Sequence, residues 1–162
     1  YQLCDFYSLF YLRFIKNSNP KDKDFWLNSL DSPEIRAWNG YAFEQVCFSH
    51  LDQIKKALGI SGIQTNTTAW VGSNGIRKAQ IDLVIDRRDQ AINICEAKFS
   101  INTFTIDKQY ATELRNKIGV FKDVTKTPKA VFLTLITTMG LTPNDYAQTL
   151  VQNSLTMDVL FQ

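Results

Sequence analysis

The stretch QIDLVIDRRDQAINICEAK, residues 80–98, is the part of the chain that decides its fold. Two runs rich in Ile, Leu and Val flank a polar segment at residues 87–90, a pattern typical of two β-strands joined by a turn. Three charged side chains interrupt the apolar runs: Asp82 in the first, Glu96 and Lys98 in the second. Charges in a buried strand are costly unless they are paired or bound to a metal, so we expect these residues to form a site.

The predicted hairpin brings the three charges together. Side chains alternate between the two faces of a strand, so Glu96 and Lys98 share a face. A turn centred near Asp89 sets Asp82 opposite Glu96, within one step of register, and opposed residues lie about 5 Å apart at Cβ. Two such carboxylates repel unless a cation or a proton lies between them. Oxygen clusters of this kind suit Mg²⁺, and Lys98 is then placed to orient an attacking water or to offset charge on a phosphate.

A cross-strand ion pair is the alternative interpretation of the same residues. Asp82 and Lys98 would then neutralise each other, and Glu96 would be solvated at the edge of the sheet. Both strands are apolar enough to be central in a sheet, and central strands rarely carry charge on a covered face without a use for it. Such D…E-x-K strings are common and by themselves favour the ion pair; the apolar character of the two strands strengthens the case for the metal site, and both interpretations stay open.

Length and composition indicate one folded domain, with or without a short extension. The chain has 162 residues, 44% of them apolar, and a net charge of +2. Its mean hydropathy is −0.18, and no apolar run reaches the ~18 residues of a membrane helix. The widely spaced Cys4, Cys47 and Cys95 form no C-x-x-C motif. They predict reduced, buried thiols in a cytoplasmic protein, and no thiol zinc site.

The order of elements predicts a mixed sheet with helices on its faces. Helices are expected at residues 1–16, from Ala37 or Asn39 to Leu58, at 107–121 and at 145–153, and strands at 63–72 and 129–137 in addition to the hairpin. Glu44 flanks the apolar stripe of the long helix. It is either a third carboxylate of the site or an exposed helix glutamate, and spacing alone does not decide between the two.

The charge distribution bears on nucleic-acid binding only locally. A net charge of +2 is too small to argue for such a partner by itself. Between Lys98 and Lys129, however, basic residues outnumber acidic ones. They are either positions that follow a phosphate backbone or the solvated face of a helix.

Four segments, in this order, resemble the PD-(D/E)xK, or restriction-endonuclease-like, superfamily. They are DFYSLFYLRF at 5–14, WNGYAFE at 38–44, QIDLVID at 80–86 and CEAK at 95–98. The resemblance is closer still to the C-terminal nuclease-like domain of archaeal-type (DEXX-box) AAA ATPases, and it spans nearly the whole chain. It implies an α/β fold with a restriction-endonuclease-like mixed central sheet, an αβββαβ core, flanked by helices.

The resemblance also implies metal-dependent cleavage of phosphodiester bonds in DNA. Asp82, Glu96 and Glu44 would bind Mg²⁺ or Mn²⁺, and Lys98 would assist the attacking water. Gln80 stands where this group often has an acidic residue, so one negative charge is missing there. The alternative is a catalytically inactive module of the same fold that binds DNA or a partner and regulates an ATPase.

The domain organisation that the resemblance implies includes an ATPase domain before Tyr1. Residues 1–33 would be a helical segment that packs on the core or links to the ATPase domain, and residues 34–162 the nuclease-like domain. The chain contains no Gly-x-x-x-x-Gly-Lys phosphate loop, so it is not expected to hydrolyse ATP itself. Oligomeric state is not predicted, and no membrane association is expected.

Overall fold

The computed structural model describes residues 5–16, 24, 28–29 and 32–162. The chain divides into two compact units, Tyr1–Ala42 and Phe43–Gln162. The division falls within the long helix that the sequence predicts, so that the Glu44 position belongs to the second unit.

The first unit is built from helices and aromatic side chains. Helix α1, Phe6–Phe10, continues as a π-helical turn, Tyr11–Ile15. Helix α2, Pro33–Ser49, begins in this unit. The sequence D-S-P-E at residues 31–34 is typical of a helix start with Asp31 as its cap, and Asp31 lies outside the described residues. The hydroxyl of Ser32 accepts a hydrogen bond of 3.2 Å from the amide of Ile35. A serine cap followed by proline is a common start for a helix. The serine hydroxyl pairs with one of the free amides of the first turn, and proline has no amide hydrogen that could be left unpaired.

The aromatic stripe of the first unit packs partly as a small core. The rings of Phe10 and Phe14 lie 5.4 Å apart between centroids, and Phe14 lies at the same distance from Trp38. Phe14 is buried, whereas Tyr7 is 68% exposed. The predicted stripe also includes Leu3, which lies outside the described residues.

The second unit contains a five-stranded mixed sheet. Its strands follow the chain in spatial order, with β1–β2–β3 antiparallel and β3–β4–β5 parallel. The strands are β1 Thr65–Ser73, β2 Lys78–Arg87, β3 Ala91–Lys98, β4 Ala130–Thr137 and β5 Asn153–Thr156. The predicted α/β class with a mixed sheet flanked by helices is therefore confirmed.

Helices cover both faces of this sheet. Helices α3 Leu51–Ala57, α4 Lys108–Thr125 and α5 Asp145–Leu150 are followed by a 3₁₀ turn at Met157–Phe161. The carboxylate of Asp107 caps α4 by accepting a 2.7 Å hydrogen bond from the amide of Tyr110. Because β3 and β4 are parallel, the chain must cross the sheet between them, and α4 makes that crossing.

Two apolar clusters hold the helices to the sheet. One joins α2 and α3 to one face, with Phe43, Cys47 and Ile54 against Leu83 and Ala97. The other joins α4 and α5 to the opposite face. The sequence spacing predicts an apolar stripe on α4 formed by Tyr110, Leu114, Ile118 and Phe121, and this stripe packs on the sheet. The buried members of this second cluster are Ile81, Val84, Ile92, Ile94, Ile106, Ala111, Leu114, Phe121, Leu133, Leu135 and Ala147. Strand β3 is thus covered on both sides, and it is central in the sheet, as its apolar sequence predicted.

Two predictions about the elements were wrong in detail. The long helix expected to reach Leu58 is broken at His50, whose φ of −119° and ψ of 36° are not helical. The His50 ring nitrogen Nδ1 lies 2.8 Å from the carbonyl oxygen of Val46, so the side chain competes for a group that the helix would otherwise use.

The second error concerns the end of the chain. A helix was expected over residues 145–153, whereas α5 ends at Leu150 and β5 follows, pairing with β4. The β5 segment is too short and too polar to show a strand pattern in sequence. Its pairing with β4 and the burial of Leu155 make it part of the core.

Cys47 and Cys95 are free and buried, as predicted, and Cys4 lies outside the described residues. Within the described ranges no helix is both long and apolar enough to cross a membrane.

Leu160 is expected to be an essential core residue although it lies near the end of the sequence. It is fully buried in the cluster under α2 and α3. Leu160→Ala should lower the free energy of unfolding by about 2–4 kcal/mol because it leaves a cavity. Urea denaturation measures this loss. Ile101→Ala, at a side chain that is 73% exposed, is the control and should leave stability within about 0.5 kcal/mol of wild type.

Candidate functional site

Asp82 and Glu96 lie at the end of the β2–β3 ladder. The last paired residues of this ladder are Leu83 and Cys95, and one residue beyond them Asp82 comes level with Glu96. There the carboxylate of Asp82 accepts a 3.0 Å hydrogen bond from the amide of Ala97. The side chain of Asp82 thus takes a backbone donor of β3, which fixes this carboxylate beside the end of that strand.

Glu96 is a fully buried carboxylate in the middle of the fold. The Nζ atom of Lys117, on α4, lies 2.5 Å from its Oε2. Its other oxygen, Oε1, has no hydrogen-bond partner among the described residues. A buried carboxylate oxygen without a partner is costly, which marks this atom as one that a ligand would satisfy.

The electrostatics of the site make Glu96 harder to ionise than an ordinary glutamate. Burial is the main cause and the nearby Asp82 carboxylate adds to it, so that the pKa of Glu96 rises to about 7 in spite of the opposing effects of Lys117 and Lys98. A divalent cation would reverse this balance because it stabilises the ionised carboxylates.

Glu44 reaches the same group of charges from α2. It is half-buried, and its pKa is raised by burial and by Asp82, while Lys98 and Lys117 lower it. The pKa of the neighbouring thiol of Cys47 is raised mainly by burial and further by Asp82 and Glu44. The second possibility that the sequence left open for Glu44, a simply exposed glutamate, does not describe this position.

Lys98 does not form the ion pair that was the alternative interpretation. Within the part of the chain that the structure describes, no salt bridge joins it to Asp82. Its Nζ instead lies 5.2 Å from the centroid of the Tyr110 ring, on α4. Burial, with the carboxylates of Glu96 and Asp82, raises the pKa of the Tyr110 hydroxyl, which is therefore a proton-bearing group beside Lys98.

The residues present fit a hard cation by their chemistry rather than by a preformed cage. In the described residues no three His, Cys, Asp or Glu side chains are close enough together to hold a metal ion. The donors that the site offers are nevertheless carboxylate oxygens, the ligands that Mg²⁺ and Mn²⁺ prefer, and Glu96 contributes the unpartnered Oε1. A cation with several waters needs only one or two direct carboxylates.

A cleft of about 570 Å³ opens beside this site between the start of β2 and α4. Gln80, which the sequence flagged for its missing negative charge, is exposed and lines this cleft. Four cationic side chains and one acidic one share the lining: Arg77, Lys78, Arg115, Lys117 and Glu113. The amide of Asn116 donates a 3.3 Å hydrogen bond to the carbonyl of Lys78 and ties the two walls together.

Three residues near the charges were not selected as site residues from the sequence. Lys117 was counted only among basic residues, Tyr110 only as part of an apolar stripe, and Thr137 only as strand. Thr137 is fully buried, stands opposite Lys98 across the β3–β4 pair, and its hydroxyl has no hydrogen-bond partner among the described residues. A signal for Lys117 existed: it lies three residues after Leu114, on the predicted buried stripe, where a charge is unusual.

Comparison with known proteins adds little to this geometry. No protein-family model matches the chain, and no curated protein matches it. Among solved structures the chain is similar to a protein of unknown function, AF1548, with a TM-score of 0.46 and 20% sequence identity. The match covers 71% of this chain and 64% of AF1548, so the chain spans less than two thirds of that protein.

The raised pKa of Glu96 predicts a specific pH dependence of stability. A carboxyl group whose pKa is higher in the folded state stabilises the fold fully below pH 4.5, and this contribution is lost as the pH rises through about 7. Glu96→Gln removes the ionisation. Between pH 4 and pH 8 the free energy of unfolding of E96Q should therefore rise by about 3 kcal/mol relative to wild type.

Chemical denaturation at a series of pH values measures this difference. Glu113→Gln, at an exposed position on α4, is the matched control and should follow wild type throughout. A constant difference between E96Q and wild type across the range would contradict the assignment of a raised pKa to Glu96.

Proposed function

We propose that this protein is the nuclease-like part of a larger ATP-binding protein and hydrolyses phosphodiester bonds in DNA with the help of Mg²⁺ or Mn²⁺. The observation that carries the proposal is the fully buried carboxylate of Glu96, with one oxygen unpartnered among the described residues, next to Asp82 and two lysines. Buried ionisable groups with shifted pKa values beside a cleft are typical of catalytic sites. The sheet order is compatible with a restriction-endonuclease-like core, which is part of this proposal.

Each residue has a role in the proposed chemistry. Asp82 and Glu96 would hold the cation, and Glu44 would complete its coordination from α2, directly or through water. The metal, when bound, supplies a Lewis acid and lowers the pKa of its bound water. Lys98, held over the ring of Tyr110, would orient the attacking water or neutralise charge on the phosphate.

The basic cleft supports DNA as the substrate. Arg77, Lys78 and Arg115 line the cleft together with Lys117, which itself contacts Glu96. A phosphodiester backbone lying in this cleft would be led to the carboxylates, and its charge would be compensated along the way. The buried, reduced state of Cys47 and Cys95 is compatible with a cytoplasmic location for this activity.

The second candidate is a module of the same fold that binds DNA or a partner protein without cutting. Two observations favour it: Gln80 provides no negative charge, and the carboxylates of the described residues do not form a closed metal cage. In this case the module would regulate the ATPase domain, and its cleft would serve binding alone.

Loss of the metal-binding carboxylate is expected to abolish cutting. Asp82→Asn should lower the rate of Mn²⁺-dependent DNA cleavage by about 10²-fold or more, because the cation that would stabilise the charge of the transition state loses one of its carboxylate ligands. Lys98→Met should cause a comparable loss. Gel analysis of a supercoiled plasmid and a linear duplex measures the rate. Asp86→Asn is the matched control: Asp86 lies on the same strand, pairs with Lys129, and should retain activity.

The outcome of the same assay separates the two candidates. Wild-type protein that binds DNA but releases no product with Mg²⁺ or Mn²⁺, alone or joined to its ATPase domain, would refute catalysis and leave the binding module. Cleavage that survives both Asp82→Asn and Lys98→Met would refute the assigned site.

The cleft should determine DNA affinity through its charge. Arg77→Gln and Arg115→Gln are each expected to weaken DNA binding at all sequences and to reduce the slope of log affinity against log salt by about 1. Fluorescence anisotropy at several NaCl concentrations measures both quantities. Arg88→Gln, whose guanidinium binds Gln64 away from the cleft, is the control and should leave the slope unchanged. An unchanged slope in both cleft variants would exclude this cleft as the DNA path.

A further inference from the structure

Lys117 belongs to the candidate site and to the cleft at once. Its ammonium group lies 2.5 Å from Oε2 of the buried Glu96, while the same residue lines the cleft with Arg77, Lys78 and Arg115. Its side chain is 21% exposed, so it has an outlet to solvent, whereas its partner Glu96 has none. Among the described residues, Lys117 is the one that both contacts the buried carboxylate of Glu96 and lines the cleft in which a phosphate backbone would lie.

A divalent cation at the unpartnered Oε1 of Glu96 would lie across the same carboxylate from the Lys117 ammonium, which is at Oε2. Both neutralise Glu96, and a cation at Glu96 would also stand close to Lys98 and Lys117. Positive charges held this close together repel each other, and the divalent charge of the cation makes the repulsion stronger than that between two ammonium groups. Lysine has a flexible four-carbon stem and can donate its protons to a phosphate as well as to a carboxylate, so the ammonium can move from Glu96 to the cleft once the cation neutralises Glu96.

We infer that metal binding at Glu96 displaces the ammonium of Lys117 into the cleft, where it binds a phosphate of the nucleic acid. This inference rests on the proposed function and deepens it. Lys117 is then a positioning residue: it stabilises the buried carboxylate while no metal is present, and it adds one phosphate contact once the metal has arrived.

The exchange has a thermodynamic consequence. Metal binding frees the Lys117 ammonium to bind DNA. DNA that holds this ammonium in the cleft keeps it away from Glu96. Each ligand must therefore tighten the binding of the other by the same factor. The protein would thus bind DNA with its full affinity only when the metal is also bound.

A chemical footprint on the wild-type protein tests the displacement directly. The rate at which an N-hydroxysuccinimide ester acetylates Lys117 is followed by mass spectrometry, without DNA, as Ca²⁺ is added. Oxygen sites of this kind bind Ca²⁺. The rate at Lys117 should rise severalfold when the metal binds. Lys122, an exposed lysine on the same helix, is the internal control and should react at a constant rate.

The salt dependence of DNA binding tests the second half of the inference. With Ca²⁺ present, the slope of log affinity against log salt should steepen by about 0.9 in wild type, the value for one additional phosphate contact. In Lys117→Met the slope should be the same with and without Ca²⁺. Lys122→Met should behave like wild type.

The outcomes distinguish this inference from the proposed function. Calorimetry of wild type with Ca²⁺ and Mn²⁺ establishes first whether metal binds, and no binding of either, with or without DNA, would overturn both proposals. Metal binding with unchanged reactivity of Lys117 would overturn the exchange alone and leave the nuclease site intact. The footprint uses wild-type protein, so it decides the question even if Lys117→Met fails to fold.

Discussion

The ion pair between Glu96 and Lys117 is the constraint on which the candidate site depends. A carboxylate that is 0% exposed cannot remain charged in an apolar interior without a cation, and Lys117 provides it from α4. The pair contributes little to the stability of the fold. Burial raises the pKa of Glu96 to about 7, which shows that ionising this carboxyl group is costly, and apolar residues would pack in its place at a lower free-energy cost. A group kept under these conditions is more readily understood as part of a site than as part of a core.

The architecture explains why the charges meet at this place. Strand β3 is central, antiparallel to β2 on one side and parallel to β4 on the other, and helices cover both of its faces. The β2–β3 ladder ends at Leu83 and Cys95, and beyond this point the Asp82 side chain takes over a backbone donor of β3. The end of a ladder leaves backbone groups and space for side chains, so carboxylates can gather there without breaking the sheet.

The proposed chemistry gives the two lysines of the site, Lys98 and Lys117, different roles. Lys98 is held over the Tyr110 ring and away from Asp82, whereas Lys117 holds Glu96 and extends to the cleft. One lysine is thereby available to the reacting water, and the other links the state of the carboxylate to the surface that would bind DNA. Gln80 lines the same cleft and is uncharged, so it does not reduce the positive potential of the basic side chains around it.

Local pattern and pairing determined the hairpin, the mixed sheet and the facing positions of Asp82 and Glu96, because alternation along a strand and the length of a turn are properties of neighbouring residues.

The break at His50 and the strand β5 were not predictable in this way. The first depends on one ring bonding to the Val46 carbonyl, and the second depends on β4 offering an edge to a short polar segment. Only the tertiary structure decided which lysine meets which carboxylate, since the apolar stripe of α4 predicts that this helix packs on the sheet but not which residue of β3 Lys117 reaches. The sequence by itself thus determined that charges lie in the central hairpin. The fold decided that Glu96 is fully buried, that Lys117 rather than Lys98 neutralises it, and that a basic cleft opens beside them.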